Sequence, residues 1–113
     1  MRLIEAEEIT SRVAELCLQA NFELGEDVLA ALRRAKDAEA SPIGQEVLEQ
    51  LLHNAEIAAK ERLPLCQDCG LAVLFLEIGQ EVRIIGGDLR EALDEGVRRG
   101  YQQGYLRKSA VAR

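Results

Sequence analysis

Pro64-Leu65-Cys66-Gln67-Asp68-Cys69-Gly70 runs straight into Leu71-Ala72-Val73-Leu74-Phe75-Leu76-Glu77-Ile78-Gly79, and at this junction the texture of the chain changes from helical to extended. Pro64 stops whatever helix precedes it, because the residue before a proline is pushed out of the helical region. Leu71 to Ile78 is too short and too continuously apolar for an exposed helix, so it predicts a largely buried strand. Between the two lie a soft metal ligand, an amide, a carboxylate and a turn-forming glycine within a few residues. Loops placed just ahead of a buried element are where catalytic groups concentrate.

Upstream of this junction the sequence is helical. Ile4, Ile9, Val13, Leu16, Cys17 and Ala20 recur at spacings of three and four, predicting a first helix that ends near Asn21, with Phe22-Glu23-Leu24-Gly25 as connector. Val28, Leu29, Leu32 and Ala35 continue the period over a second helix from Glu26 to Ala38, whose acidic first turn, Glu26 and Asp27, suits the positive end of a helix dipole. Ser41-Pro42 supplies an N-cap hydroxyl and a proline in the first turn of a third helix. That helix runs to about Arg62 and carries Ile43, Val47, Leu48, Leu51, Leu52, Ala55 and Ala58 inward.

Downstream, Gly79-Gln80 can turn the chain, Glu81 to Ile85 can form a second strand, and Gly86-Gly87 ends it. Gly86-Gly87 lacks the P-loop and dinucleotide patterns and is read as a turn. Asp88 caps a last helix bearing Leu89, Ala92, Leu93 and Val97, which fades through Gly100 and Gly104 into Tyr105-Leu106-Arg107-Lys108-Ser109. The expected class is therefore α+β: an N-terminal layer of about three helices, a two-stranded β segment and a C-terminal helix. At 113 residues, 48% of them hydrophobic, residues 1–113 are expected to form one domain. The ending Ala110-Val111-Ala112-Arg113 carries no cap or polar tail and reads as cut rather than finished.

Composition narrows the function classes. A net charge of −6, from 20 acidic against 14 basic side chains, argues against nucleic acid or an anionic membrane as partner, while a few local arginines could still hold a small anion. No apolar run approaches the roughly 18 residues needed to span a bilayer, and no signal or transit peptide is read at the acidic N-terminus. Three cysteines, an odd count, argue against a disulfide framework and for reduced thiols in the cytoplasm.

Cys66 as a thiolate is a suitable ligand for iron in a sulfide cluster, set against the alternative of a small buried hydrophobe. Cys69 makes a C-x-x-C with it, but a structural zinc site needs four ligands and only Cys17 and His53 remain, both on predicted helices without paired spacing. Cys17 lies on the apolar stripe and is expected in the core. His53, beside Leu51-Leu52, is expected to be partly buried or at an interface. Asp68 is either an acid–base carboxylate or a loop carboxylate capping backbone donors. Arg107 has the planar fork that matches a carboxylate, with an exposed basic pair alongside Lys108 as its plain reading.

Two runs together carry a family resemblance. PLCQDCGLAVLFLEIGQEVRIIGGDL, from Pro64 to Leu89, resembles the cluster-binding loop and following strands of the class I, iron–sulfur fumarate hydratases, whose usual form is P-x-C-Q-D-T-G. EGVRRGYQQGYLRKSAV, from Glu95 to Val111, resembles that family's downstream helix and its Y-L-R-K-S element. The segment from Lys36 to Asp68 also looks like the family's N-terminal region, so the chain is similar to the N-terminal part of the α subunit of the two-subunit form. The resemblance implies a hydro-lyase that interconverts fumarate and (S)-malate, a step of the tricarboxylic acid cycle, with a [4Fe-4S] cluster held by three cysteines. It makes Cys66 a cluster ligand, Gln67 and Asp68 contacts to substrate or its catalytic partner, with Asp68 catalytic, and Arg107 the substrate-binding arginine. It also implies a small dicarboxylate substrate, the remainder of the α subunit and a β subunit as partners, and a homo- or hetero-oligomer.

Two departures from the family stand out. Position 69 is cysteine where the family usually has threonine, so Cys69 is expected to replace it as a small side chain near the cluster. The chain also ends before the family's other two cluster cysteines, leaving one matched ligand, and alone it is expected to be inactive. L-tartrate dehydratase is the neighbouring alternative, less favoured because its downstream element tends to lack the G-Y-L-R-K-S wording. A non-catalytic helical partner, or a thiol–metal module on Cys66 and Cys69, is the alternative outside the enzymes.

Overall fold

A computed structural model describes residues 1–66 and 69–107. The order of elements is β1 (Arg2–Glu5), α1 (Ala6–Phe22), α2 (Glu26–Ala38), α3 (Pro42–Glu61), β2 (Val82–Ile85) and α4 (Leu89–Gln103), an α+β arrangement. Over the described residues the chain divides into two compact units, Met1–Gln19 with Asp68–Arg113, and Ala20–Gln67. The second is thus inserted in the sequence of the first.

In the first unit the two strands pair in parallel, Arg2 opposite Val82 through Glu5 opposite Ile85, with the Arg2 amide donating to the Glu81 carbonyl at 2.8 Å. This corrects the N-terminal boundary: Ile4, expected at the start of the first helix's apolar stripe, lies in the strand Arg2–Glu5, and the helix begins at Ala6. It also corrects the other partner, because Leu71–Ile78 forms no strand and is exposed throughout, Phe75 at 93%. The β segment has two strands as expected: Val82–Ile85 is the expected second strand, and Arg2–Glu5 takes the place of Leu71–Ile78. A four-residue strand whose partner lies far along the chain leaves no local mark, and an apolar run becomes a strand only where another strand is available to take its backbone hydrogen bonds.

The local signals behave as expected. The Val82 amide donates to the Gly79 carbonyl at 3.1 Å, closing the turn at Gly79-Gln80, and Gly86 ends β2 with φ of 80°, a conformation that favours glycine. Asp88 caps α4, its Oδ2 accepting from the Glu91 amide at 3.1 Å.

Helices α1 and α4 meet closely. From α1 come the buried Ala6, Thr10, Val13, Ala14 and Cys17, and from α4 Ala92, Gly96, Gly100 and Tyr101. Thr10 donates its hydroxyl hydrogen bond to the Ala92 carbonyl at 2.9 Å. A Cβ at Gly96 would lie 2.6 Å from Cβ of Val13, and one at Gly100 2.8 Å from Cβ of Cys17. The glycines that read as a fading helix are the contact surface of a helix that continues to Gln103, flanked by half-buried Leu89, Leu93 and Val97. At the rim, Arg99 bridges the helices, 2.6 Å to Glu7 of α1 and 2.9 Å to Glu95 of its own helix. Hydrogen bonds from Arg98 and Arg99 lower the Glu95 carboxyl to about 2.

The second unit is built on α2 and α3. Ser41 caps α3 as expected, Oγ accepting from the Gly44 amide at 3.4 Å with Pro42 in the first turn, and the Glu39 carboxylate accepts from the Ser41 amide at 3.0 Å. Lys36 reaches Glu49 across the pair at 3.8 Å. The core is Ala55, Ala58 and Leu65, with Leu24 and Leu29 packed against it. Ile43, Val47 and Leu51, expected inward, are exposed. Only the last turns of α3 reach that core.

Candidate functional site

The chain approaching Cys66 is held at each step. Arg62 takes the left-handed conformation at the end of α3, φ 57° and ψ 49°, and its guanidinium lies 5.1 Å from the centroid of the buried Phe22 ring. The Leu63 amide donates back to the Ala58 carbonyl at 3.1 Å, so the helix ends with a carbonyl satisfied and the direction reversed. Leu65 then donates its amide to the Asn21 carbonyl at 2.7 Å while its side chain enters the core beside Ala55 and Ala58. Next, the Cys66 amide donates to Oδ1 of Asn54, one turn before Ala58 on α3, at 3.2 Å. An anchored leucine thus precedes a cysteine whose backbone is tied down and whose residue surface is exposed.

The other two cysteines stand in different surroundings. Cys69 is buried, 4% exposed. Cys17 is in the α1–α4 contact as expected for a core residue, and burial pushes its thiol pKa up, which disfavours the thiolate a metal needs. Both belong to the first unit, Cys66 to the second. Gln67 and Asp68 lie outside the described residues, as do Lys108 and Ser109. Arg107 is exposed, just beyond a firm support: the Leu106 amide donates to the Tyr101 carbonyl at 3.0 Å and the Leu106 side chain is buried. His53 is exposed and lines a groove of about 810 Å³ in the second unit with Arg33, Lys36, Glu49 and Lys60 above Leu52.

Among the described residues no three His, Cys, Asp or Glu side chains converge on a metal position. Among the described residues the Cys66 thiol is the one exposed cysteine sulfur, and its chemistry suits a single corner of a sulfide cluster. Sequence reasoning missed Asn54. Its available signal was position: an amide side chain a turn before the buried Ala58, on a helix about to be reversed by Pro64.

A family model described as fumarate hydratase (Fumerase) matches residues 10–113. An α subunit assigned as L(+)-tartrate dehydratase in Methanocaldococcus jannaschii is 35% identical over 109 residues, covering 91% of this chain and 36% of that protein. The anaerobic class I fumarate hydratase of Escherichia coli is 46% identical over 76 residues, covering 67% of this chain and 14% of the enzyme. The L(+)-tartrate dehydratase α subunit of Escherichia coli is 28% identical over 103 residues, covering 91% and 34%. The chain spans about a third or less of the length of these relatives. With the family model matched over nearly its whole length, the chain belongs to the fumarate hydratase family.

Proposed function

We propose, from membership in that family, that residues 1–113 are the cluster-bearing N-terminal part of a cytoplasmic hydro-lyase α subunit that reversibly hydrates fumarate to (S)-malate and is inactive without the rest of the enzyme. The observation that carries this reading is the presentation of Cys66: an exposed thiol on a backbone tied to α3, in the loop that resembles the family's cluster-binding loop. Cys66 would hold one corner of a [4Fe-4S] cluster, whose Lewis acidity eases departure of the malate hydroxyl when it is bound. The other ligands would come from polypeptide that the longer relatives possess, and the α-subunit names of two relatives support a β subunit as partner.

Part of the remaining chemistry would fall to this chain's own groups. Loss of water from malate removes a weakly acidic C3 proton and the C2 hydroxyl, and a carboxylate oxygen of Asp68 takes that proton, returning it when fumarate is hydrated. Gln67 orients the substrate by amide hydrogen bonds. Arg107 binds one substrate carboxylate with two parallel N–H donors.

L-tartrate dehydration is the second reading, favoured by the greater coverage of the tartrate-named relatives. The Tyr105-Leu106-Arg107-Lys108-Ser109 wording favours fumarate. The test is full-length protein prepared without oxygen and assayed for iron, acid-labile sulfide, and turnover of malate and L-tartrate. Iron with sulfide and malate turnover is the expected result, and stoichiometric zinc without sulfide overturns the cluster reading. In the same protein Arg107→Lys should raise KM for malate and fumarate with iron content unchanged. Lysine keeps the charge but not the paired planar donors, and losing a charge-assisted hydrogen bond costs on the order of 1.5–3 kcal/mol, roughly ten- to a hundredfold in affinity. Unchanged steady-state kinetics at full iron content would remove Arg107 from the site.

A further inference from the structure

We propose that Asn54 is a positioning residue for Cys66, fixing the backbone from which the thiol reaches its metal; this rests on the assignment of Cys66 as a cluster ligand. Asn54 is half-buried on α3 and its Oδ1 accepts the Cys66 amide at 3.2 Å. Together with the Leu65 amide bonded to the Asn21 carbonyl, this ties two successive backbone donors to the second unit. With these two amides held, the freedom left to Sγ is narrowed to rotation about φ and χ1 of Cys66. That restriction exists before any metal arrives, so less conformational freedom is lost on ligation.

The residue type agrees with the role. The Cys66 amide in an exposed loop could have bonded to water, so burial does not demand a protein acceptor at that position. An aspartate would supply the same acceptor but place a negative charge close to a thiolate and an anionic cluster. Asparagine supplies the oxygen without the charge. Groups that orient a metal ligand typically change metal affinity or activity ten- to a hundredfold when removed.

The experiment compares wild type, Asn54→Ala and Asn54→Asp in the full-length protein. In the metal-free form, amide hydrogen exchange at Cys66 should accelerate at least about tenfold in Asn54→Ala and stay near wild type in Asn54→Asp, which keeps the acceptor. After reconstitution, EDTA should strip the cluster, followed by its visible absorbance, about ten- to a hundredfold faster from Asn54→Ala than from wild type. Asn54→Asp should recover part of that difference, which a general loss of stability would not produce. Unchanged exchange at Cys66, or unchanged cluster loss in Asn54→Ala, overturns the proposal. Failure of wild type itself to take up iron and sulfide would instead defeat the cluster assignment, while the exchange measurement still reports on the hydrogen bond.

Discussion

Cys66→Ser in the full-length protein is expected to leave iron and acid-labile sulfide at background and to abolish turnover of malate. Serine is nearly isosteric, but its hydroxyl stays protonated where the thiol ionises, and iron–sulfur clusters are held by thiolate. Cys66 is exposed with its backbone held, so the substitution exchanges sulfur for oxygen and disturbs little of the packing. Cys69→Thr gives the contrast. Cys69 is buried and stands where the family usually carries threonine, so the exchange should leave iron content and turnover largely intact. Loss of iron in Cys69→Thr as complete as in Cys66→Ser would make Cys69 a ligand.

Gly100→Ala and Gly96→Ala are expected to destabilise the fold by about 1–3 kcal/mol each, the cost of forcing extra methyl groups into a close contact. On an exposed helix the same change stabilises by about 0.8–1 kcal/mol, so the sign itself is diagnostic. At Gly100 the new Cβ would meet Cβ of Cys17 at 2.8 Å and the Ala14 carbonyl oxygen at 2.9 Å; at Gly96 it would meet Cβ of Val13 at 2.6 Å and the Thr10 carbonyl oxygen at 2.8 Å. None of these atoms can rotate away, so α1 itself must shift. Gly104→Ala provides the control, because its nearest obstacle is Cδ2 of Leu18, the end of a flexible side chain. Urea unfolding of the three variants should rank Gly104→Ala as the mildest, and a stabilising Gly100→Ala would contradict the close helix contact.

What was legible in the sequence was local chemistry. Ser41-Pro42, Gly79-Gln80, Gly86 and Asp88 each act through their own hydrogen bonds or dihedral angles, and each is where it was expected. Arg2–Glu5 was illegible as a strand because its partner is Val82–Ile85. Leu71–Ile78 was misleading for the converse reason: apolar content states a preference for burial without supplying the partner. The glycines of α4 carry low helix propensity and so looked like an ending, although a close helix neighbour selects those same residues. Cys66 and Arg107, each proposed from a motif, are exposed and each follows a supported backbone, whereas Asn54 belongs to no motif and emerged only from the chain reversal after α3.

The nesting of one unit inside the other orders the events of folding. Ala20–Gln67 closes through neighbours in sequence, α2 against α3, and everything it needs has left the ribosome once Leu65 has emerged. The other unit must wait. Its Thr10–Ala92 hydrogen bond joins residues 82 positions apart, so the apolar face of α1 stays uncovered until α4 is made. Contacts across such long loops form late because their closure entropy must be met first. During synthesis the inserted unit can therefore mature while Ala6, Val13, Ala14 and Cys17 remain open to chaperones or to mispairing, which makes α4 the element whose arrival ends the vulnerable interval.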